Sequence, residues 1–164
     1  MNETIFTEYP EGNKLLITRK FDGPLPLVWR AWTEAELLDR WWAPEPWKSI
    51  TKSMIFKEGG SRLYCMQGPN GEAHWGITEY SKILPQNSFE AKDAFCDENG
   101  QINAEIPSSQ WRVEFSKVDD GTLVSAMNTF ASKEAMEQLV AMGVKEGTVA
   151  VHKNLDQLIN DIIQ

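Results

Sequence analysis

The chain is poor in the residues that usually announce chemistry: two cysteines and two histidines in 164 positions. Cys65 and Cys96 form no CxxC and sit in apolar, strand-like contexts, so they read as reduced core thiols; a disulfide between them is the alternative. His74 and His152 have no second His, Cys or carboxylate at a ligand spacing such as HExxH, so no metal site is expected. There is no GxSxG, no catalytic-cysteine signature and no GxGxxG or phosphate loop, and Gly59-Gly60-Ser61 reads as a turn. No catalytic residue and no cofactor is therefore predicted. No window approaches the roughly 20 apolar residues that span a bilayer, and Met1-Asn2-Glu3-Thr4-Ile5 lacks the basic and apolar regions of a signal peptide. The expected location is the cytoplasm. A basic excess is also missing: 16 Lys+Arg stand against 24 Asp+Glu, a net charge of −8. That excludes nucleic acid and anionic membrane as partners.

What is present is an ordinary globular composition, 41% hydrophobic and 24% charged. The length predicts a single domain over residues 1–164, large enough to bury a real core. Seven tryptophans stand out; Trp29, Trp32, Trp41, Trp42 and Trp47 crowd one early segment.

Residues 1–13 are polar with Pro10 and Gly12 and read as a loose lead-in. Lys14 to Phe21 alternates as a strand, with Leu15, Ile17, Arg19 and Phe21 on one face, and ends at Asp22-Gly23-Pro24. Leu25, Val28, Trp29 and Trp32 have helical spacing. Thr33 with Glu36 predicts a capping box for a second short helix through Leu37, Leu38 and Trp41. Strands follow at Ser49–Phe56, Ser61–Gln67, Ala73–Leu84, Phe89–Phe95, around Trp111, Val113 and Phe115, and at Thr122–Phe130. Turn signals such as Gly68-Pro69-Asn70-Gly71 and Asp119-Asp120-Gly121 separate them. Ser132 caps a short helix, Gly143 breaks it, and a longer helix runs to about Ile162. Its stripe is Val144, Thr148, Val151, Leu155, Leu158 and Ile162, interrupted by Gly147.

Strands joined by tight turns are antiparallel, and only the helices can cover one face of their sheet. The predicted class is α+β. A curved sheet of six to seven strands follows two short helices after its first strand and grips the long terminal helix. The concave face is wider than one helix, which leaves room for a cavity.

Five stretches carry a family resemblance: ITRKFDGPLPLVWRAWTEAELLDRWWAPE (Ile17 to Glu45), KEGGSRLYCMQGPNG (Lys57 to Gly71), HWGITEYSKILPQNSF (His74 to Phe89), FEAKDAFCDENG (Phe89 to Gly100) and TFASKEAMEQLVAMGVKEGTVAVHKNLDQL (Thr129 to Leu158). The sequence resembles the bacterial branch of the family named after the C-terminal domain of the activator of the heat-shock-protein-90 ATPase. That family lies within the START-like (SRPBCC) helix-grip superfamily. The resemblance covers about Lys14 to Ile163 and implies the helix-grip fold with an interior cavity for a small, mostly apolar ligand. Arg62, where the family often has an aromatic residue, and Lys82, where Glu is common, depart from its pattern. The eukaryotic co-chaperones carry an additional N-terminal domain, for which 164 residues leave no room.

Polar residues inside apolar alternations mark the candidate site. Asp93 shares a phase with Phe89, Ala91 and Phe95; Glu79 with Trp75, Ile77 and Ile83; Arg62 with Tyr64 and Met66. Buried charges need partners, so either Arg62 pairs with Asp93 or Glu79 inside a cleft, or the strand phase slips and these charges face water. The expected ligand-binding set is Met54, Phe56, Arg62, Tyr64, Met66, Trp75, Ile77, Glu79, Asp93, Phe95, Trp111, Val113, Gly147 and Val151. Trp32 and Trp41 read as core. Trp42 and Trp47 line a pocket mouth or form a partner patch. Gly147 is either a weak point or a space left for a ligand. The leading expectation is a monomer or homodimer binding a small apolar or amphipathic molecule. The rivals are a chaperone-regulating interaction module and a cyclase- or hydratase-type enzyme using Asp93 or Glu79 as a base.

Overall fold

The computed structural model describes residues 2–164. One antiparallel sheet holds eight strands: β1 (Ile5–Tyr9), β2 (Lys14–Phe21), β3 (Lys48–Met54), β4 (Ser61–Gln67), β5 (Ala73–Leu84), β6 (Ser88–Cys96), β7 (Ser109–Val118) and β8 (Gly121–Phe130). Their order is β1-β2-β8-β7-β6-β5-β4-β3. Strands β3 to β8 follow one another as hairpins. The chain leaves β2 through two helices, α1 (Leu25–Thr33) and α2 (Ala35–Leu38), and re-enters the sheet at its far edge. Helices α3 (Lys133–Ala141) and α4 (Val144–Ile163) close the concave face.

The sheet has one strand more than expected. The segment read as a loose lead-in supplies β1, which pairs with β2 from Ile5↔Thr18 to Tyr9↔Lys14. Four of its five residues are exposed and Phe6 is the one that packs inward, so the strand rests largely on backbone bonding and carries little hydrophobic alternation to read.

Helix α1 begins on Pro24-Leu25-Pro26, prolines suited to a first turn. It buries Leu27, Val28, Trp29, Ala31 and Trp32. Thr33 is its last residue, and its hydroxyl donates to the Trp29 carbonyl at 2.8 Å. Glu34 takes the cap position of α2 without a side-chain bond. The predicted Thr33–Glu36 capping box does not form, because Thr33 is still the last helical residue of α1 and the extended cap position falls on Glu34. Ser132 caps α3 as expected, accepting from the Ala135 N–H at 3.0 Å. Gly143, at φ 95°, makes the left-handed break before α4.

Two apolar clusters fill the concave side. In the larger, the Trp29 ring packs edge-on against Phe115, Phe56 and Phe89 at 5.0, 5.9 and 6.2 Å, beneath Leu155, Leu158 and Ile159 of α4. In the smaller, Leu15 and Phe130 meet Met136 and Leu139 of α3. The carboxyl-terminal half of α4 is tied to β2 by polar groups. Arg19 is buried and bonds to Asp156 and to Thr4 Oγ1, and Thr4 Oγ1 lies 2.8 Å from His152 Nδ1. His152, outside the stripe read from sequence, is 5% exposed and edge-on to Phe21. The helix stripe therefore runs wider than a strict three-four repeat shows. Among the described residues, no helix is long and apolar enough to cross a membrane.

Candidate functional site

Between the two clusters the amino-terminal half of α4 rides clear of the sheet and leaves a cavity of about 360 Å³. That is within the range of small-molecule sites. Its walls come from both clusters (Trp32, Trp41, Val113 and Val124 on one side, Leu15, Phe130 and Leu139 on the other), with Trp42, Trp111 and Phe95 between them. Its roof is Gly147, Thr148 and Val151 of α4 with Met142, Gly143 and Val144 from the helix break. A Cβ on Gly147 would meet nothing within 4 Å. Gly147 adds to the gap, standing where the helix stripe calls for a side chain.

Of the expected site residues, Tyr64, Met66, Trp75, Asp93, Phe95, Trp111, Val113, Gly147 and Val151 line this cavity. Five do not. Met54 and Phe56 pack into the larger cluster, Phe56 against Trp29 and Tyr80. Glu79 is exposed, and Ile77 shares its outward face. The inward residues of β5 are Gly76, Thr78 and Tyr80, the opposite phase to the one expected. The apolar look of the outer face has a local cause, since Ile77 and Leu63 lie beneath Gly100 of the following turn. A register shift between Tyr80 and Lys82 then swings Ile83 inward against the core. Trp75 contributes to the lining from the outward phase, beside His74 and Gly76.

Arg62 is buried as expected, at 1% exposure, but its partner is neither Asp93 nor Glu79. Its Nη2 reaches Asp39 Oδ1 at 3.1 Å and Ser49 Oγ at 2.9 Å, and its Nε reaches Thr51 Oγ1 at 3.1 Å. Asp39 sits just after α2 and also accepts from Ser49 and Thr51. The guanidinium stacks 4.2 Å above the Tyr64 ring and 5.7 Å from that of Trp42. This arginine braces the cavity wall from behind.

Asp93 faces the cavity. Its Oδ1 accepts from Thr78 Oγ1 at 2.9 Å and from Tyr64 Oη at 3.4 Å. Burial pushes the carboxyl up to about 7, against the opposing pull of the Thr78 bond, the Arg62 charge and Tyr64. Burial likewise raises the Tyr64 phenol well above its ordinary range. His152, also in the wall, is pushed down to about 4 by burial and then by Arg19, so its ring is neutral at pH 7. Burial raises Cys65 and lifts Cys96 to about 11, and both thiols are free. Among the described residues no cluster of His, Cys, Asp or Glu is arranged to hold a metal.

Sequence reasoning missed Asn128, which is buried in the wall on β8. Its signal was the one that marked Asp93: a polar residue in the phase of Thr122, Val124, Ala126 and Phe130. It also assigned Trp32 and Trp41 to the core alone; they are buried there and form one end of the cavity too. Trp42 turns into the cavity, while Trp47 packs on His74 at 5.3 Å, so the pair makes no common outer patch.

The family described as Activator of Hsp90 ATPase homolog 1-like protein matches residues 22–160. The chain belongs to that family. Solved structures of bacterial proteins share this fold. A crystal structure of a Mycobacterium smegmatis protein is 28% identical over 96% of this chain and 97% of its own, with a TM-score of 0.88. A solution structure of an Arthrobacter aurescens protein is 27% identical over 96% and 91%, at 0.89. One from Staphylococcus epidermidis is 26% identical over 97% and 95%, at 0.84. Among the curated proteins the chain has no match.

Proposed function

We propose that this helix-grip protein binds one small hydrophobic or amphipathic molecule in the cavity under α4. The observation that carries this reading is the unfilled space itself. Two packed clusters flank it, aromatic rings and aliphatic side chains wall it, and a glycine keeps its roof open. An apolar ligand gains about 25 cal/mol for each Å² it buries there, and a few polar groups set its orientation. Gly147→Leu tests the reading, because the new side chain projects into the void while the helix gains up to about 1 kcal/mol of propensity. Native mass spectrometry of protein purified from its own cells is expected to show a bound small molecule on the parent chain and none on a folded Gly147→Leu. Retention of the molecule by that variant places the ligand elsewhere.

The family's name supports a second reading, regulation of a chaperone ATPase. A pull-down of the chaperone with stimulated ATP hydrolysis favours it over the receptor. For an enzymatic reading the cavity offers Asp93 as its carboxylate base, since Glu79 faces outward; turnover lost in Asp93→Asn is its test.

A further inference from the structure

The chemical character of the ligand follows from what faces it, an inference that rests on the cavity being the binding site. Among the described residues lining the cavity, Asp93 is the one acidic side chain, and no Lys or Arg joins it. Its Oδ1 is engaged by Thr78 and Tyr64, whereas Oδ2 takes no bond from any described residue. It is also not among the polar atoms sealed away from contact. The nearest cation, Arg62, is committed to Asp39, Ser49 and Thr51 behind the wall. Aromatic side chains line the same cavity. Tyr64 bonds to it, Trp42 stands 6.3 Å from the Tyr64 ring and 5.7 Å from that of Trp111, and Trp111 lies two residues beyond Ser109, the register partner of Asp93.

A carboxylate with a free oxygen, walled by aromatic rings, is a receptor for a positively charged nitrogen: the carboxylate supplies the counter-charge and the ring faces add cation–π attraction. An anionic head group would meet repulsion there and find no free cation. We propose that the cavity takes an apolar molecule bearing a cationic amine, with the amine on Asp93 Oδ2 between Tyr64, Trp42 and Trp111. Fatty acids and other apolar anions are expected to bind weakest where Asp93 is ionised. The chain's net charge of −8 favours approach of such a cation.

The groups facing Asp93 are Tyr64 with Arg62 behind it on β4, Thr78 and Tyr80 on β5, Cys96 on its own strand, and Ser109 and Trp111 on β7. From α4 the roof offers His152, neutral above about pH 4. Of the cavity groups that burial shifts, Asp93 is the one brought near neutrality. Amine binding requires the ionised carboxylate. It is expected to weaken as pH falls below 7, by up to about thirtyfold between about pH 8.5 and pH 5.5.

Three probes of equal length decide the matter: decylamine, decanol and decanoate, titrated by tryptophan fluorescence and calorimetry. At about pH 8.5 decylamine is expected to bind at least about tenfold tighter than decanol, and decanoate weakest. Asp93→Asn is expected to bring decylamine to the level of decanol on the same variant and to abolish the pH dependence. Should Asp93→Asn not fold, Thr78→Val keeps the carboxylate but loses the bond that holds its pKa down, so the pH midpoint of amine binding must move up. Decanol binding as tightly as decylamine, decanoate binding tightest, or an unmoved midpoint overturns the amine proposal. If decanol still binds and Gly147→Leu expels it, the cavity reading survives that failure. If none of the three binds, both fall.

Discussion

Two buried groups make opposite demands on the pH dependence of folding, and each masks the other. His152 is held at about 4 against an ordinary 6.5, so the unfolded chain takes up its proton more readily and acid destabilises the fold. Asp93 is held at about 7 against an ordinary 3.8, so the folded chain keeps its proton and rising pH destabilises. Integrated from about pH 4.5 to about pH 6.5, His152 adds about 2 kcal/mol of stability as pH rises while Asp93 removes about 2 kcal/mol. These two contributions cancel in the parent chain. Replacing either group unmasks the other. Asp93→Asn is expected to become more stable from pH 4.5 to 6.5, and His152→Gln less stable, by about 2 kcal/mol in each case. Urea unfolding at three pH values across that window reads both slopes. If the two variants drift in the same direction, or neither departs from the parent slope, then burial does not perturb these groups as described.

Gly76→Ala puts a Cβ 2.6 Å from the Tyr64 ring and hydroxyl, and that ring is backed by Arg62. A loss of about 1–3 kcal/mol is expected in chemical denaturation, with the Tyr64 contact to Asp93 broken. Arg62→Leu leaves Asp39, itself 28% exposed, without its cation and is expected to cost about 3 kcal/mol; combined with Asp39→Asn, the losses are less than additive in a double-mutant cycle.

Local chemistry made most of the sheet legible, because turn residues and two-residue alternation report directly on hairpins with one covered face. The same signal exposed Asp93 as a polar residue in an apolar phase. It failed where the covering group was distant in sequence. The outward phase of β5 looks like a core phase since Ile77 is covered by the turn at Gly100, twenty-odd positions further on. Strand β1 escaped notice because four of its five side chains are exposed and Phe6 alone packs inward, too little to show an alternation. Nothing near Arg62 announces Asp39 as its partner, since the loop after α2 meets β4 only after the chain has crossed to the far edge of the sheet.

By itself the sequence determined the class, the order of elements, the helix break at Gly143 and the missing side chain at Gly147, all of which follow from periodicity and backbone preference within a few residues. Whether that missing side chain leaves a void, and which charge stands in it, was decided only by tertiary packing. Both depend on how far apart two side-chain clusters hold the helix from the sheet, a distance set by residues drawn from both ends of the chain.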